Sequence, residues 1–179
     1  MKTLGFVLSL SLLFGVTAKA ADPIYHDPGM KTIVQVAIVC RDIDACSKRW
    51  AALLGMDPPK ITTTKPGREV NLIYRGKPSN GQVKLAFFET GQTVLELLQP
   101  VGGNTSWQEI LDANGEGVHH IAFKIQNVEK TLKSCEALGM PNIHQGRFDS
   151  NDGTYIYLDS KKALGVTVEL LHEDKDDKR

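Results

Sequence analysis

The sequence contains two copies of one segment, and this internal repeat restricts its folding more than any other feature. The stretch that begins at Gln35, QVAIVCRDIDACSKRWAALLGM, returns with one gap at His120 as HIAFKIQNVEKTLKSCEALGM. The ends of the copies also match, because TVLELLQ (residues 93–99) is similar to VTVELLH (residues 166–172). Such a repeat indicates a chain built from one supersecondary unit used twice.

Each copy has the pattern of a strand, a helix and three further strands. An alternating apolar strand leads into a polar turn and then a helix, which ends at Gly55 in one copy and Gly139 in the other. Each copy has room for two more strands before its final strand, near 60–64, 83–88, 143–148 and 154–158. The sequence therefore predicts two βαβββ modules, residues 31–101 and 117–173, in an α+β fold.

Three stretches after residue 30 have no counterpart in the repeat. Residues 67–80 form an insertion, which we predict to be a loop or hairpin over a cleft. Residues 102–116 link the modules, and Thr105 is predicted to cap the N-terminus of a short helix there. Residues 174–179 are a charged tail that we expect to be solvated.

The first 20 residues have the pattern of a secretory signal peptide. Lys2 precedes an apolar run over residues 4–16, and Ala18-Lys19-Ala20 forms an A-x-A ending. The run is shorter than the roughly 20 apolar residues that a membrane span needs, which disfavours an uncleaved anchor. We therefore expect a periplasmic or secreted protein with no membrane association after cleavage.

Charge and cysteine content exclude several classes of protein. The 21 basic and 21 acidic residues balance, so the chain lacks the positive charge that nucleic-acid binding requires. Cys40, Cys46 and Cys135 are too few for a disulfide framework. Buried small side chains are the default interpretation of all three, and the sequence leaves one disulfide open.

The alternation of faces along the strands predicts a polar cluster. The first and last strands of each copy have one bulky apolar face, which we predict to pack under the helices. The opposite face carries small apolar residues and one polar residue per strand: Gln35, Glu96, His120 and Glu169. Two carboxylates there need a partner, and amide, carboxylate and imidazole groups bind zinc, nickel, cobalt or manganese. We predict one divalent metal ion at these residues, with a metal-free cup as the alternative.

The remaining histidines are not predicted to bind a metal. His119 precedes His120 and so has the opposite parity, which places it against the helices. The other three lack a repeat partner of ligand type and are predicted to lie at the surface: His26, His144 and His172.

Over residues 31–173 the chain resembles the vicinal oxygen chelate superfamily, which includes glyoxalase I, methylmalonyl-CoA epimerase, extradiol dioxygenases and antibiotic-resistance proteins. VKLAFFETGQTVLELLQP (residues 83–100) and NGEGVHHIAF (residues 114–123) are similar to methylmalonyl-CoA epimerases. Gln35 as first ligand resembles glyoxalase I, whereas Val39 and Pro100 depart from the pattern with which that enzyme binds glutathione. The resemblance implies paired βαβββ modules that form a cup-shaped, mostly antiparallel sheet around one metal.

The resemblance also implies a chemistry for the predicted site. A small substrate with adjacent oxygens would chelate the metal, and a carboxylate would remove the proton next to its carbonyl. Glu169 is the predicted base, and Glu96 is a second base or a ligand only. We therefore expect a metal-dependent lyase or isomerase/epimerase. The alternatives are an extradiol-type dioxygenase and a non-catalytic binding protein, and a homodimer stays open.

Overall fold

The structure is a computed structural model, and it describes residues 28–178. The predicted signal peptide and His26 lie outside these residues. In chain order, the helices and strands are β1 (Ile33–Val39), α1 (Ile43–Leu54), β2 (Thr62–Thr63), β3 (Ile73–Tyr74), β4 (Lys77–Pro78), β5 (Gln82–Glu89), β6 (Val94–Val101), α2 (Ser106–Asn114), β7 (Gly117–Lys124), α3 (Val128–Ala137), β8 (Asn142–Arg147), β9 (Gly153–Leu158), α4 (Lys161–Leu164) and β10 (Thr167–Glu173).

The ten strands form one sheet in the order β2-β5-β6-β1-β7-β10-β9-β8-β3-β4. β1 is parallel to β6 and β7 is parallel to β10, while the other neighbours are antiparallel. The two modules contribute β2-β5-β6-β1 and β7-β10-β9-β8, so their first strands meet at the centre. This arrangement confirms the predicted α+β fold of paired βαβββ modules in a mostly antiparallel sheet.

The polar turns of the repeat act as helix caps. The Asp42 carboxylate accepts hydrogen bonds from two backbone N–H groups of α1, and Asn127 accepts one at the start of α3. Gly55 ends α1 in the left-handed conformation, with φ of 66°. Among residues 28–178, no helix has the length and apolar character that a bilayer crossing requires.

One side of the sheet packs against the repeated helices. Under α1 lies a buried cluster that includes Phe88 and Leu97, and under α3 lies a second that includes Ile156 and Leu170. The bulky apolar faces of the strands thus pack as the alternation predicted.

The cysteines are all buried, as predicted, and the structure settles the pairing that the sequence left open. Cys40 follows β1, Cys46 lies in α1, and a disulfide joins them. Cys135 in α3 is a buried free thiol. The disulfide therefore ties the end of the central strand to the helix that follows it.

The opposite, inner face of the sheet is partly covered by the two segments outside the repeat. The β3–β4 hairpin of the insertion pairs with β8, and so extends the edge of the second module. Val70 and Leu72 of the insertion, with Trp107 and Leu111 of α2, belong to a buried cluster on the inner face. The insertion and α2 therefore cover part of the inner face and form walls of the cup.

Candidate active site

The four polar residues predicted from the repeat lie on the central strands β1, β6, β7 and β10: Gln35, Glu96, His120 and Glu169. Glu96 and His120 both pair with Ala37 across the sheet, whereas Gln35 and Glu169 both pair with Ala122. Each alanine lacks a side chain beyond Cβ, so the polar groups on either side of it can approach one another. The repeat thus places four polar side chains around a floor of two small residues.

Three of these side chains are in contact, and we call them the carboxylate–histidine cluster: Glu96, His120 and Glu169. His120 Nε2 lies 3.2 Å from Glu96 Oε2 and 3.0 Å from Glu169 Oε2. The exposed fractions of Glu96, His120 and Glu169 are 6%, 0% and 4%. The Gln35 side chain is hydrogen-bonded to Glu96. The sequence therefore located three buried side chains and the half-buried Gln35 that joins them, although their role as metal ligands stays a prediction.

The electrostatics of the cluster favour a cation between the two carboxylates. Burial opposes the charge on His120, but Glu169 and Glu96 outweigh this and raise the pKa of His120 to about 10. Burial also raises the pKa of Glu96, against the lowering effect of His120. In the absence of another cation, the cluster therefore holds a proton at neutral pH.

The donor set of the cluster also fits a divalent metal ion. The described residues contain no preformed group of three or more His, Cys, Asp or Glu ligands, and here the carboxylates contact His120 instead. Its Nε2 is buried and contacts one oxygen of each carboxylate. The spacings of 3.0 and 3.2 Å are a few tenths of an ångström below the roughly 3.4 Å that separates adjacent ligands in a tetrahedral site with bond lengths of about 2.1 Å. Small side-chain shifts would let an ion take the place of the proton.

The predicted position of His119, against the helices, was wrong. The pairing of β1 with β7 shifts register between Ala37 and Ile38, so His119 is an extra residue in a β-bulge. A bulge interrupts the alternation of faces, and the His119 ring lies beside His120 with their Nδ1 atoms 2.9 Å apart. His119 thus lies at the Nδ1 edge of the His120 ring, whereas the carboxylates contact Nε2. It does not pack against the repeated helices.

Two other histidines are buried, which contradicts their predicted surface positions. His144 Nδ1 lies 2.7 Å from the Ser106 hydroxyl oxygen, and its ring packs edge-on against Trp107. Burial lowers the pKa of His144 to about 3, so this ring is neutral. His172 is also buried, with Nδ1 3.3 Å from the Ile125 carbonyl oxygen. His172 shares the parity of Val168 and Leu170 on β10, so strand alternation could have indicated its burial, whereas nothing in the repeat indicates the burial of His144.

A hydrogen-bonded pair from outside the predicted site positions Glu169. Trp107 Nε1 donates to the Tyr157 hydroxyl at 3.1 Å. Tyr157 pairs with Glu169 across the sheet, and their side chains are hydrogen-bonded. Burial, followed by the nearby carboxylates, raises the pKa of Tyr157, so its hydroxyl keeps its proton and donates to Glu169. The alternation of β9 could have revealed Tyr157, whereas Trp107 depends on how α2 packs.

A cavity of about 400 Å³ lies above the cluster, and we call it the chamber. Gln35, Glu96 and Glu169 form its floor, and the aromatic pair Trp107 and Tyr157 lines it nearby. A chamber of this size suits a small organic molecule. Such a molecule would contact the carboxylates of Glu96 and Glu169 and the amide of Gln35. A metal ion held by these residues would add a Lewis acid.

The two-module cup and the buried cluster on its floor define the class to which the chain belongs. A model of the glyoxalase/bleomycin resistance protein/dioxygenase superfamily matches residues 34–158. The chain is a member of this superfamily, which confirms the resemblance seen in the sequence.

Individual proteins are similar to the chain in sequence or in fold. An uncharacterised Bacillus subtilis protein, YqjC, is 30% identical over 53% of this chain and 69% of its own length. The mouse mitochondrial methylmalonyl-CoA epimerase is 23% identical over 75% of this chain and 69% of its own. A solved structure of a variant of Streptomyces coelicolor methylmalonyl-CoA epimerase, in complex with 2-nitronate-propionyl-CoA, has a TM-score of 0.57 and 23% identity, over 81% of this chain and 99% of its own.

Proposed function

We propose that the protein is a metal-dependent isomerase or lyase of the glyoxalase–epimerase type. The observation that carries the proposal is the buried contact of one imidazole with two carboxylates on the floor of a cavity. Membership of the superfamily and the likeness to methylmalonyl-CoA epimerases support an enzyme of the epimerase/isomerase kind. The reaction begins with removal of a proton next to a carbonyl.

In this proposal four side chains hold one divalent ion: Gln35, Glu96, His120 and Glu169. Zinc, nickel, cobalt and manganese all accept these ligand types. When bound, the ion would supply Lewis-acid polarisation of a substrate that carries adjacent oxygens. The Gln35 amide, which is hydrogen-bonded to Glu96, completes the donor set on the side of β1.

The chain's own residues move the proton. Glu169 removes it from the carbon next to the carbonyl, the C–H electron pair passes into the carbonyl system, and Glu169 then carries the proton. The Tyr157 hydroxyl, itself held by Trp107, keeps the Glu169 carboxylate oriented. Glu96 approaches His120 from β6 as Glu169 does from β10, and burial raises its pKa towards the working range of a proton carrier. Return of that proton from Glu169 to the intermediate, at the same or the neighbouring carbon, completes an isomerisation.

An extradiol dioxygenase fits the site less well. That chemistry uses two histidines and one carboxylate on iron. Although His119 lies on the same side as His120, its Nδ1 faces the Nδ1 of His120, and it does not line the chamber. The cluster therefore offers one imidazole and two carboxylates.

We also propose that the protein is exported. The signal-like N-terminus is the first support. The Cys40–Cys46 disulfide is the second, because such bonds persist in oxidising compartments. Cleavage after Ala20, read from the N-terminal mass of the protein in the periplasm or medium, tests this proposal. An intact N-terminus in the cytoplasm would contradict it.

Exchange of an acidic C–H with solvent deuterium tests the enzymatic proposal. The metal-loaded protein is incubated with 2-hydroxy ketones, hemithioacetals and acyl thioesters, and exchange is followed by NMR. Glu169→Gln should reduce exchange by about 10²- to 10⁴-fold, the usual contribution of a general base. Glu173→Gln makes the same change on the same strand, where Glu173 contacts Lys124 at the exposed rim, and should leave exchange unchanged.

Two outcomes would count against the proposal. Undiminished exchange in Glu169→Gln would show that another group is the base. Binding of small molecules without any exchange, and without stoichiometric metal after loading, would leave a non-catalytic binding protein.

A further inference from the structure

We propose that the substrate carries an uncharged apolar group, with an aryl ring preferred, beside its chelating oxygens. No carboxylate or phosphate of the substrate enters the chamber. This inference rests on the proposed function, because the cluster is taken to hold the reacting oxygens. It names the class of molecule that the rest of the chamber accepts.

The walls of the chamber are apolar and rich in aromatic rings. Five aromatic residues line it: Phe87, Trp107, Phe148, Tyr155 and Tyr157. Aliphatic side chains, among them Leu85 and Leu171, fill the space between them. Rings on several sides favour a flat apolar group, which can stack or meet them edge-on.

One ring lies directly beside the reacting centre. Phe87 pairs with Glu96 across β5 and β6, and its exposed fraction is 41% although it lines the chamber. An apolar group attached to the substrate carbonyl would cover this ring. Binding would then remove an exposed aromatic surface from water, which is favourable.

Both cations of the chamber have hydrogen-bond partners within the protein. Two positively charged residues, Lys65 and Arg147, line it within the described part of the chain. Lys65 Nζ donates to the Asp149 carbonyl oxygen at 2.7 Å, and the Asp149 carboxylate accepts from the Lys65 backbone N–H. Lys65 is thus held against Asp149 at the exposed mouth of the chamber.

Arg147 has no donor left for a ligand. Its Nε–H donates to Asn151, its Nη1 group to Thr154 and Asp174, and its Nη2 group to Asp174 and the Asn151 carbonyl oxygen. A guanidinium has five N–H donors, and all are used. An anionic substrate group would therefore have to break this network to gain a partner.

The charge balance of the floor leads to the same conclusion. Two ionised glutamates, a neutral His120 and a divalent ion sum to zero. Proton transfer from a neutral substrate to Glu169 keeps that sum, whereas a substrate carboxylate adds one unpartnered negative charge in a largely apolar chamber. Burial of an unpaired charge is strongly unfavourable, and this discriminates against such molecules.

Three 2-hydroxy ketones with one reacting unit test the inference: 2-hydroxyacetophenone, hydroxyacetone and hydroxypyruvate. They differ only in the group on the carbonyl, which is phenyl, methyl or carboxylate. Deuterium exchange at the hydroxymethyl carbon is measured with the nickel-loaded protein. We expect kcat/KM to be roughly tenfold or more higher for the phenyl than the methyl compound, the discrimination that apolar contacts usually supply. The carboxylate compound should be slower than both.

Three variants test whether the chamber walls cause the preference for the phenyl compound. Phe87→Ala should lower kcat/KM roughly tenfold for 2-hydroxyacetophenone but less than threefold for hydroxyacetone. Leu53→Ala removes an apolar side chain that is 75% exposed on α1, outside the chamber, and should change neither value. Leu85→Lys adds a cation to the wall and should raise the rate with hydroxypyruvate.

The outcomes separate this inference from the proposed function. If hydroxypyruvate exchanges as fast as 2-hydroxyacetophenone, and Glu169→Gln abolishes both, the substrate class is wrong while the chemistry stands. If no probe exchanges, the proposed chemistry fails for this class, and calorimetric binding of the three probes decides the inference. Tighter binding of hydroxypyruvate than of the phenyl compound would overturn it.

Discussion

Binding of a divalent ion at the carboxylate–histidine cluster should expel a proton, and its affinity should therefore rise with pH. The pKa of His120 is about 10 in the folded protein, against an ordinary value of 6.5. At pH 7 the ring is thus protonated, and its Nε2 has no lone pair for a metal. Each pH unit below 10 lowers the apparent affinity about tenfold, or about 1.4 kcal/mol, which amounts to about 4 kcal/mol at pH 7.

Calorimetric titration with nickel measures both the number of protons released and the affinity for the ion. Titrations at pH 7 in buffers of different ionisation heat should show the release of about one proton per ion. Between pH 7 and 9 the affinity should rise roughly tenfold per unit. Glu169 is the largest influence that raises the pKa of His120, so Glu169→Gln should release less than one proton.

The matched control for this experiment is Glu173→Gln on the same strand. Glu173 is paired with Lys124 and Lys175, away from the floor of the chamber, and its replacement should leave proton release unchanged. An affinity that is flat from pH 7 to 9, with no proton released, would refute the reasoning. Equal effects of the two variants would show that the pH dependence arises elsewhere.

Three further predictions concern stability and are tested by urea denaturation. In the metal-free protein the raised pKa of His120 contributes stability that is complete below about pH 6.5 and is lost as pH rises through about 10; unfolding free energy that increases over this range would contradict it. Reduction of the Cys40–Cys46 disulfide, which spans 6 residues, should lower the free energy of unfolding by about 2 kcal/mol, and a reduced protein of unchanged stability would disprove this. Asp42→Ala should cost about 1 kcal/mol because it removes the N-cap of α1, whereas Asp44→Ala, which removes no cap, should cost less.

The positions of the site residues along their strands could be predicted from the sequence, because they depend on strand alternation and on the repeat. Strand alternation and the repeat place Glu96 and Glu169 at equivalent positions, and the same reasoning makes Gln35 equivalent to His120. These rules need no knowledge of which strands are neighbours. They led to the α+β fold and to four residues that the structure brings together.

The same rules failed where pairing between distant strands changed the local geometry. His119 was assigned to the wrong face because alternation assumes an uninterrupted ladder. The extra residue in β7 exists only through its pairing with β1, some eighty positions earlier in the chain. A bulge of this kind has no signal in the strand's own sequence.

The chamber itself was decided by tertiary structure. The sequence alone determined the repeated modules and the polar residues on their inner face, because periodicity is a property of each strand. His144 and Trp107 are buried because α2 folds onto that face, and Val70 and Leu72 line the chamber because the insertion crosses to the other module. Such contacts join segments far apart in the chain, so they follow from packing and not from the local pattern.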